Sequence, residues 1–405
     1  MMKQKINVIG GGFSGMTLAW QLAKKGFPVA LYEKQNRLGG VIQTRLNDFG
    51  QAESAANGIM LSDDVLELFS DIGFSPVSTK SESNKRYIYR DKPKQWPLKI
   101  FESLFLLVRL VKVLIFGKKS IEPRSHQTIA EWSNQHFSSA LTEFLLAPAL
   151  QGIYAGDAHK MSATLILGPF FKNKKKRQSK QKGMVSGANG MEELIQKLAE
   201  RLQALGVSIH LGQEVNSDQL SGPSVISTSV REAQAMLKEK NPAVSSKLEK
   251  IETAPIVTVT TYWKSFPQIY RGFGVLLPQA YQFQTLGILM NSFIYPFRDK
   301  FCAETYILGG PLRSSVIDWS DEKVLEKIQE ERFKILGEKT ELVSQVITRW
   351  PDGLPQYNVS LEKVLASLEL PENIFLHGNY LGQIGLTKIL SRSKELAEVL
   401  ALKYH

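Results

Sequence analysis

Two spacings of hydrophobic residues mark the first part of the chain. Residues 5–9 form a short segment rich in β-branched residues, and residues 14–25 then place Met16, Leu18 and Leu22 at helical spacing. Residues 29–33 form an apolar run. This pattern predicts a strand, a turn, a helix and a second strand.

The remaining pattern divides the chain further. Residues 100–171 are predicted to be mostly helical, with Thr128 and Glu131 at capping-box spacing before a helix over 129–137. A loop over 183–190, a helix over 191–205 and strands at 207–211 and 224–228 follow. Strands at 256–263, 274–277, 285–290 and 305–308 then predict an antiparallel sheet. The last predicted elements are a helix over 321–336, a strand over 342–349, a helix over 361–368, a strand over 374–378 and a helix over 386–402.

Three glycines stand in the turn between the first strand and the first helix. Gly10 permits the tight turn, Gly12 lets the backbone approach a pyrophosphate, and Gly15 lets helix and strand pack closely. The helix N-terminus then presents free N–H groups to phosphates. Glu33 ends the second strand, where a carboxylate accepts ribose hydroxyls and disfavours a 2′-phosphate. These residues predict a dinucleotide site.

A second motif, Arg37 with Gly39 and Gly40, follows Glu33 directly. The two glycines allow close backbone approach, and the arginine can neutralise a phosphate. Enzymes that use only NAD rarely need this extension, so we interpret the two motifs together as a site for FAD. A purely structural Gly-Gly turn is the alternative for this segment alone.

The composition is that of a globular protein. The chain has 405 residues, of which 43% are hydrophobic, enough for two or three domains. Cys302 is its one cysteine, which excludes an intramolecular disulfide and fits a reducing compartment. The first strand begins within a few residues, so we expect no secretory signal and a cytoplasmic location. The six histidines show no metal-ligand spacing, and we expect neither a metal site nor a Ser/His/Asp set.

The formal net charge of +11 is unevenly distributed. Residues 172–182 hold seven basic residues and no acid. Such a run is usually a solvated segment, and binding to anionic lipid is the alternative. No nucleic-acid-binding motif accompanies the run, so we expect no nucleic-acid partner.

An apolar stretch over residues 104–116 precedes the basic run and contains Arg109 and Lys112. It is too short and too charged in its middle to span a membrane. A basic amphipathic helix that lies in the membrane interface, or lines an apolar entrance, fits better. A buried core helix whose two cations reach solvent is the alternative. We expect peripheral association with the cytoplasmic face of a membrane.

The glycine turn, Glu33, residues 37–40 and the turn at Gly378 and Asn379 resemble the flavin amine oxidase superfamily. Segments similar to the FAD-dependent protoporphyrinogen oxidase family lie in order at residues 84–88, 150–157 followed by Met161 and Ser162, 272–278 and 354–357, with weaker similarity at 186–191 and 305–310. The resemblance implies oxidation of protoporphyrinogen IX or coproporphyrinogen III to the porphyrin in haem biosynthesis. Hydride would pass to flavin N5 and oxygen would reoxidise the flavin. Because the flavin carries this chemistry, no catalytic side chain is expected.

The same resemblance implies substrate contacts. Arg86 would pair with a propionate through its planar fork, with an ordinary surface cation as the alternative. Phe273, Leu276 and Ile307 would clamp the tetrapyrrole rings, with core packing as the alternative. Gly156, which has no side chain, would let the macrocycle approach the backbone.

The implied FAD-binding residues come from several parts of the chain. They are Gly10, Gly12, Phe13, Ser14, Gly15, Glu33, Lys34, Arg37, Gly39, Gly40, Val215, Gly378, Asn379, Gly385 and Leu386. Three nearby residues depart from the family pattern: Ala55 and Gln383 replace glycines, and Lys388 stands where aspartate is common. These departures keep open a degenerate paralogue that binds flavin or tetrapyrrole. Another oxidase or desaturase of the superfamily is the second alternative.

The predicted fold class is α/β with three regions. A Rossmann-like FAD-binding domain would comprise residues 1–80, 185–254 and 345–405. An α+β substrate domain with an antiparallel sheet would comprise 81–99 and 255–344, and a mostly helical, membrane-associating insertion 100–184. The expected partners are the porphyrinogen, oxygen and a membrane surface, and a homodimer is left open.

Overall fold

Two sheets dominate the computed structural model, which describes residues 3–171, 182–220, 222–296, 301–382 and 384–404. The strands are β1 (Ile6–Ile9), β2 (Val29–Tyr32), β3 (Thr44–Asn47), β4 (Gly50–Glu53), β5 (Ile59–Met60), β6 (Val77–Ser78), β7 (Arg86–Arg90), β8 (Lys92–Lys94), β9 (Met184–Ser186), β10 (Ser208–His210), β11 (Ser224–Ile226), β12 (Thr253–Trp263), β13 (Gly274–Leu276), β14 (Thr285–Leu289), β15 (Cys302–Gly309), β16 (Leu342–Pro355) and β17 (Ile374–Leu376). The helices are α1 (Phe13–Lys24), α2 (Asp63–Ile72), α3 (Ile100–Phe116), α4 (Ile129–His136), α5 (Ser139–Leu141), α6 (Ala147–Tyr154), α7 (Ala163–Phe171), α8 (Glu192–Ala204), α9 (Val230–Leu237), α10 (Pro242–Glu249), α11 (Asp321–Leu336), α12 (Val359–Ser367) and α13 (Leu386–Lys403).

The first sheet is parallel, with strand order β10-β2-β1-β11-β17. Ile6, Val8 and Leu31 are completely buried in a core to which α1, α8 and α13 contribute. Buried parallel strands of this kind present their carboxyl ends at one edge of the sheet. The turns that follow β1, β2, β11 and β17 therefore meet at that edge.

The second sheet has the order β16-β12-β15-β14-β13-β7-β8, and β13 pairs with β7 in parallel while the other neighbours are antiparallel. Val257 and Val259 of β12 belong to the core that also contains residues of α11. Because side chains alternate along a strand, Ile256 and Thr258 face the opposite side of the sheet. That side forms a wall of the cavity described below.

Residues 100–171 are largely helical, as the sequence predicts. The capping box at the start of α4 is confirmed, because the Thr128 N–H donates to Glu131 Oε2 (2.9 Å) and the Glu131 N–H donates to Thr128 Oγ1 (3.2 Å). A π-helical segment, Thr142–Leu146, connects α5 to α6.

Helix α3 is apolar and lies on the surface. None of its side chains is buried, so the alternative of a buried core helix is wrong. Arg90 of β7 and Glu102 of α3 hold its first turn to the sheet by two hydrogen bonds of 2.6 and 2.9 Å, and this interaction lowers the pKa of Glu102 to about 2. No helix in the described part of the chain has the length and apolar character needed to cross a membrane.

The structure corrects two details of the sequence prediction. The loop predicted over 183–190 contains β9, which pairs with β5 and β6. A strand of three residues carries too little alternation to be recognised in the sequence. Strand β16 continues past the predicted end at residue 349 and ends at Pro355. The basic run over 172–182 lies, up to residue 181, outside the described residues.

Candidate functional site

The turn between β1 and α1 is compact enough to require glycine. A Cβ atom on Gly15 would lie 1.9 Å from the carbonyl oxygen of Gly10, and Gly10 itself has a φ of +106°. A Cβ on Gly12, by contrast, would have only Gly40 Cα near it, at 3.9 Å. Gly12 is the N-cap of α1 and makes no side-chain cap, so the first N–H groups of the helix remain available to a phosphate.

The Glu33 carboxylate lies directly beside this turn. Its Oε2 atom accepts a hydrogen bond from the Gly11 N–H (2.7 Å), and its Oε1 atom accepts one from the Gln35 N–H (2.9 Å). The backbone thus fixes the carboxylate at the carboxyl end of β2, where it lines the cavity.

Residues 37–40 form a second turn against the first. The Gly39 N–H donates to the Gly11 carbonyl (2.8 Å), and Gly39 and Gly40 both have positive φ. The Arg37 guanidinium donates to the carbonyls of Leu38 (3.1 Å), Ile42 (3.3 Å) and Gly40. Arg37 therefore holds the loop together, and its expected contact with a phosphate stays a prediction.

One cavity of about 1500 Å³ runs past these turns. It is lined by the predicted cofactor residues Gly10, Gly12, Phe13, Ser14, Glu33, Lys34, Arg37, Gly39, Gly40, Val215, Gly378, Asn379, Gly385 and Leu386. Gly15 does not line it, because it faces the backbone of Gly10. Lys34 donates across the rim to Glu232, and this hydrogen bond raises the pKa of Lys34.

Ser227 also lines the cavity and was not predicted as a site residue. It is buried, and in the described part of the chain its hydroxyl has no hydrogen-bond partner. An orphaned hydroxyl beside a glycine turn fits a polar cofactor that supplies the missing partner. The signal in the sequence was its place at the carboxyl end of the strand predicted over 224–228; in the structure Ser227 follows β11 as Gly10 follows β1.

The other end of the cavity is apolar. Ile256, Ile307 and Leu354 from the second sheet form this wall together with Ala155. Trp350 lies beside them and donates its indole N–H to the Ser54 carbonyl (3.0 Å), to which the Thr258 hydroxyl also donates (3.3 Å). The sequence-based prediction identified only Ile307 in this wall.

The remaining predicted substrate residues lie outside the cavity lining. Arg86 at the start of β7 and Phe273 directly before β13 come together, with the exposed guanidinium 4.8 Å from the centre of the ring. Leu276 packs beside Gly152. Gly156 is buried, and a Cβ there would lie 3.0 Å from Met161 Sδ, so protein atoms occupy the space beside it.

The three departures from the family pattern differ in position. Ala55 lines the cavity. Lys388 is exposed in the first turn of α13 and is not part of the lining. Gln383 lies outside the described residues.

Buried polar side chains connect the turn at Gly378 to helices α13 and α1. His377 is completely buried, and its Nε2 atom lies 2.8 Å from Ser393 Oγ, which is itself 2.8 Å from Thr17 Oγ1 of α1. Burial, with a smaller contribution from Arg392, lowers the pKa of His377 to about 3. Tyr357, which is buried in a hydrophobic core, donates its hydroxyl to the Asn379 carbonyl of this turn.

The parallel sheet, the two glycine turns and the cavity together define a dinucleotide-binding oxidoreductase. A family model described as flavin containing amine oxidoreductase matches residues 13–385, and the chain belongs to this family. It binds FAD and is an FAD-dependent oxidoreductase. No group of His, Cys, Asp and Glu side chains among the described residues is arranged to hold a metal ion.

Several known proteins are similar over most of the chain. Protoporphyrinogen oxidase 2, chloroplastic/mitochondrial, of Arabidopsis thaliana is 24% identical, covering 98% of this chain and 93% of that protein. Coproporphyrinogen III oxidase of Bacillus subtilis (strain 168) is 22% identical, covering 90% of each. A solved structure from Exiguobacterium sp. 255-15, provisionally named a protoporphyrinogen oxidase, has a TM-score of 0.78, 20% identity and full coverage of both chains. At that identity the structural match shows the shared fold.

Proposed function

We propose that this protein oxidises a porphyrinogen, protoporphyrinogen IX or coproporphyrinogen III, to the porphyrin in haem biosynthesis, with oxygen as the acceptor. The observation that carries the proposal is the continuity of one cavity from the glycine turns to the apolar wall at Ile256, Ile307 and Leu354. A porphyrinogen is a broad macrocycle with an apolar face, which suits a wall of this kind. The similarity to porphyrinogen oxidases supports the same substrate class.

The chain's own residues would bind and orient the macrocycle. FAD, when bound, supplies the two-electron acceptor for removal of hydride from a ring-bridging carbon. The apolar wall excludes water from the reacting carbon. Arg86 lies beyond the cavity lining, so in this proposal it meets a propionate arm that extends past the wall.

The direct test is oxygen uptake and porphyrin fluorescence, measured on the purified holoenzyme with each porphyrinogen in turn. Conversion of a porphyrinogen to a porphyrin removes six hydrogens, so three O₂ should be consumed, and three H₂O₂ formed, for each porphyrin. Fluorescence that rises with this ratio supports the proposal and identifies the preferred substrate. Tight porphyrin binding without oxygen uptake would instead identify a carrier protein, and no response to either porphyrinogen would contradict the proposal.

We also propose that α3 places the protein peripherally on the cytoplasmic face of a membrane. Leu114 is 82% exposed and Phe116 72% exposed, so a large apolar surface has no protein cover in the described structure. Arg109 and Lys112 on the same helix suit anionic headgroups. A helix of this kind would hold the enzyme at the membrane, into which apolar tetrapyrroles partition.

A further inference from the structure

Gln151 of α6 is held rigidly at the cavity wall. Its Nε2 atom donates to the carbonyls of Leu277 (3.1 Å), directly after β13, and Leu286 (3.3 Å), near the start of β14. Both partners are carbonyl oxygens, which accept hydrogen bonds but cannot donate them, so the amide nitrogen must be the atom that faces them. The orientation of the side-chain amide is therefore determined, and Oε1 is the atom left over.

The Oε1 atom is an acceptor without a protein donor. Among the described residues nothing donates a hydrogen bond to it, although Gln151 is only 8% exposed. Gln151 lines the cavity and its Nε2 atom is engaged by two carbonyls, so Oε1 is the polar atom of this side chain that is left to meet a ligand there.

The surroundings make this acceptor selective. Ile153, Ala155 and Ile307 also line the cavity, so a macrocycle bound against them would displace water from the Gln151 oxygen. A polar atom that loses water without gaining a partner costs free energy, and a ligand with a matching donor avoids that cost. The position thus favours a ligand that presents an N–H group to the apolar wall.

We propose that Gln151 determines specificity by accepting a hydrogen bond from a pyrrole N–H of the reduced macrocycle. This inference rests on the proposed function and adds the substrate group that the site recognises, a pyrrole N–H. The tetrahedral bridging carbons of a porphyrinogen let its pyrrole rings tilt, so that N–H groups point out of the macrocycle. In the flat porphyrin the N–H groups point into the ring centre. Gln151 therefore distinguishes the reduced substrate from the oxidised product, which promotes product release.

The test uses two macrocycles that cannot be oxidised because each bridging carbon carries two methyl groups. One contains four pyrroles and the other contains four furans, which have the same shape but no N–H, and both carry carboxylate arms. Binding to the FAD-loaded enzyme is followed by the change in flavin absorbance. We expect the wild type to bind the pyrrole macrocycle about 10-fold more tightly than the furan macrocycle. We expect Gln151→Met to bind both with the weaker affinity.

Gln356→Met is the matched control. Gln356 is another buried glutamine, which donates to the Leu354 carbonyl (3.2 Å) but does not line the cavity. It should keep the wild-type preference for the pyrrole macrocycle.

Equal affinity of the wild type for both macrocycles overturns the inference, even if Gln151→Met fails to fold. A preference that survives in Gln151→Met also overturns it. If the wild type binds neither macrocycle but oxidises porphyrinogens, only the inference fails. If it does neither, the proposed function fails too.

Discussion

The backbone N–H of Gly11 donates a 2.7 Å hydrogen bond to Glu33 Oε2, which ties the glycine turn after β1 to the end of β2. The other carboxylate oxygen accepts from the Gln35 N–H. Glu33 therefore has two tasks in the same place: it shapes the turn and presents a carboxylate to the cavity. Neither task can be performed equally well by a neutral amide, whose nitrogen cannot accept a hydrogen bond.

Replacement of Glu33 by glutamine should weaken FAD binding while the protein remains folded. One charge-assisted hydrogen bond is lost, worth about 1.5–3 kcal/mol, which corresponds to about a 10- to 150-fold higher Kd for FAD. The measurement is flavin fluorescence quenching on titration of the apoprotein with FAD. Glu200→Gln, on the exposed surface of α8, should leave the Kd unchanged. An unaltered Kd in Glu33→Gln would remove Glu33 from the proposed cofactor site.

Alanine substitutions at Gly12 and Gly15 should have different effects. The Gly15 Cβ would lie 1.9 Å from a backbone oxygen, so Gly15→Ala should disrupt the first βα turn and prevent stable folding. The Gly12 Cβ meets no protein atom closer than 3.9 Å and instead occupies space at the cavity, so Gly12→Ala should fold but lose FAD. Circular dichroism and bound-flavin content distinguish the two results. Full flavin content in Gly12→Ala would place the phosphates elsewhere.

Arg86→Ala should raise the KM for the porphyrinogen by up to about 5-fold without changing the flavin content, because an exposed ion pair contributes only about 1 kcal/mol. Arg86→Lys should be only partly effective, because lysine keeps the charge but loses the planar group that stacks on Phe273 and grips both carboxylate oxygens. Steady-state kinetics on the holoenzyme provide the measurement. Lys85→Ala changes the neighbouring exposed cation and serves as the control. Identical KM values in all four proteins would leave Arg86 as a surface residue.

The sequence predicted the cofactor end of the site far better than the substrate end. Gly10, Glu33 and Gly378 follow strand ends, and the edge of a parallel sheet brings such turns together whatever the rest of the fold does. The apolar wall depends on which face of β12 and β15 is covered by α11, and no pattern within the sequence of either strand indicates that packing. Gln151 was missed for the same reason, because its role comes from strands more than a hundred residues away.

Helix α3 should bind anionic vesicles through its exposed apolar residues. Leu114→Asp removes a leucine that would be buried in lipid and adds a negative charge. Burial of a leucine is worth about 1.5–3 kcal/mol, so binding should weaken by at least about 10-fold. Leu402→Asp, at an equally exposed leucine of α13, is the matched control and should bind like the wild type. Co-sedimentation with phosphatidylserine vesicles at low salt measures the difference, and similar losses in both variants would exclude α3 as the membrane contact.

His377 should make the stability of the protein depend on pH below neutrality. Its pKa in the folded protein is about 3, against 6.5 for an ordinary histidine, so the folded state keeps it neutral where the unfolded state takes up a proton. The unfolded state therefore binds more protons between pH 6.5 and 3, and the free energy of unfolding should fall by up to about 1.4 kcal/mol per pH unit as the pH decreases through this range. His377→Gln does not titrate but can keep a hydrogen bond to Ser393, so its free energy of unfolding should vary less with pH. Urea unfolding of both proteins between pH 7 and 4 measures the two slopes. Parallel curves would mean that another group controls the acid sensitivity of the fold.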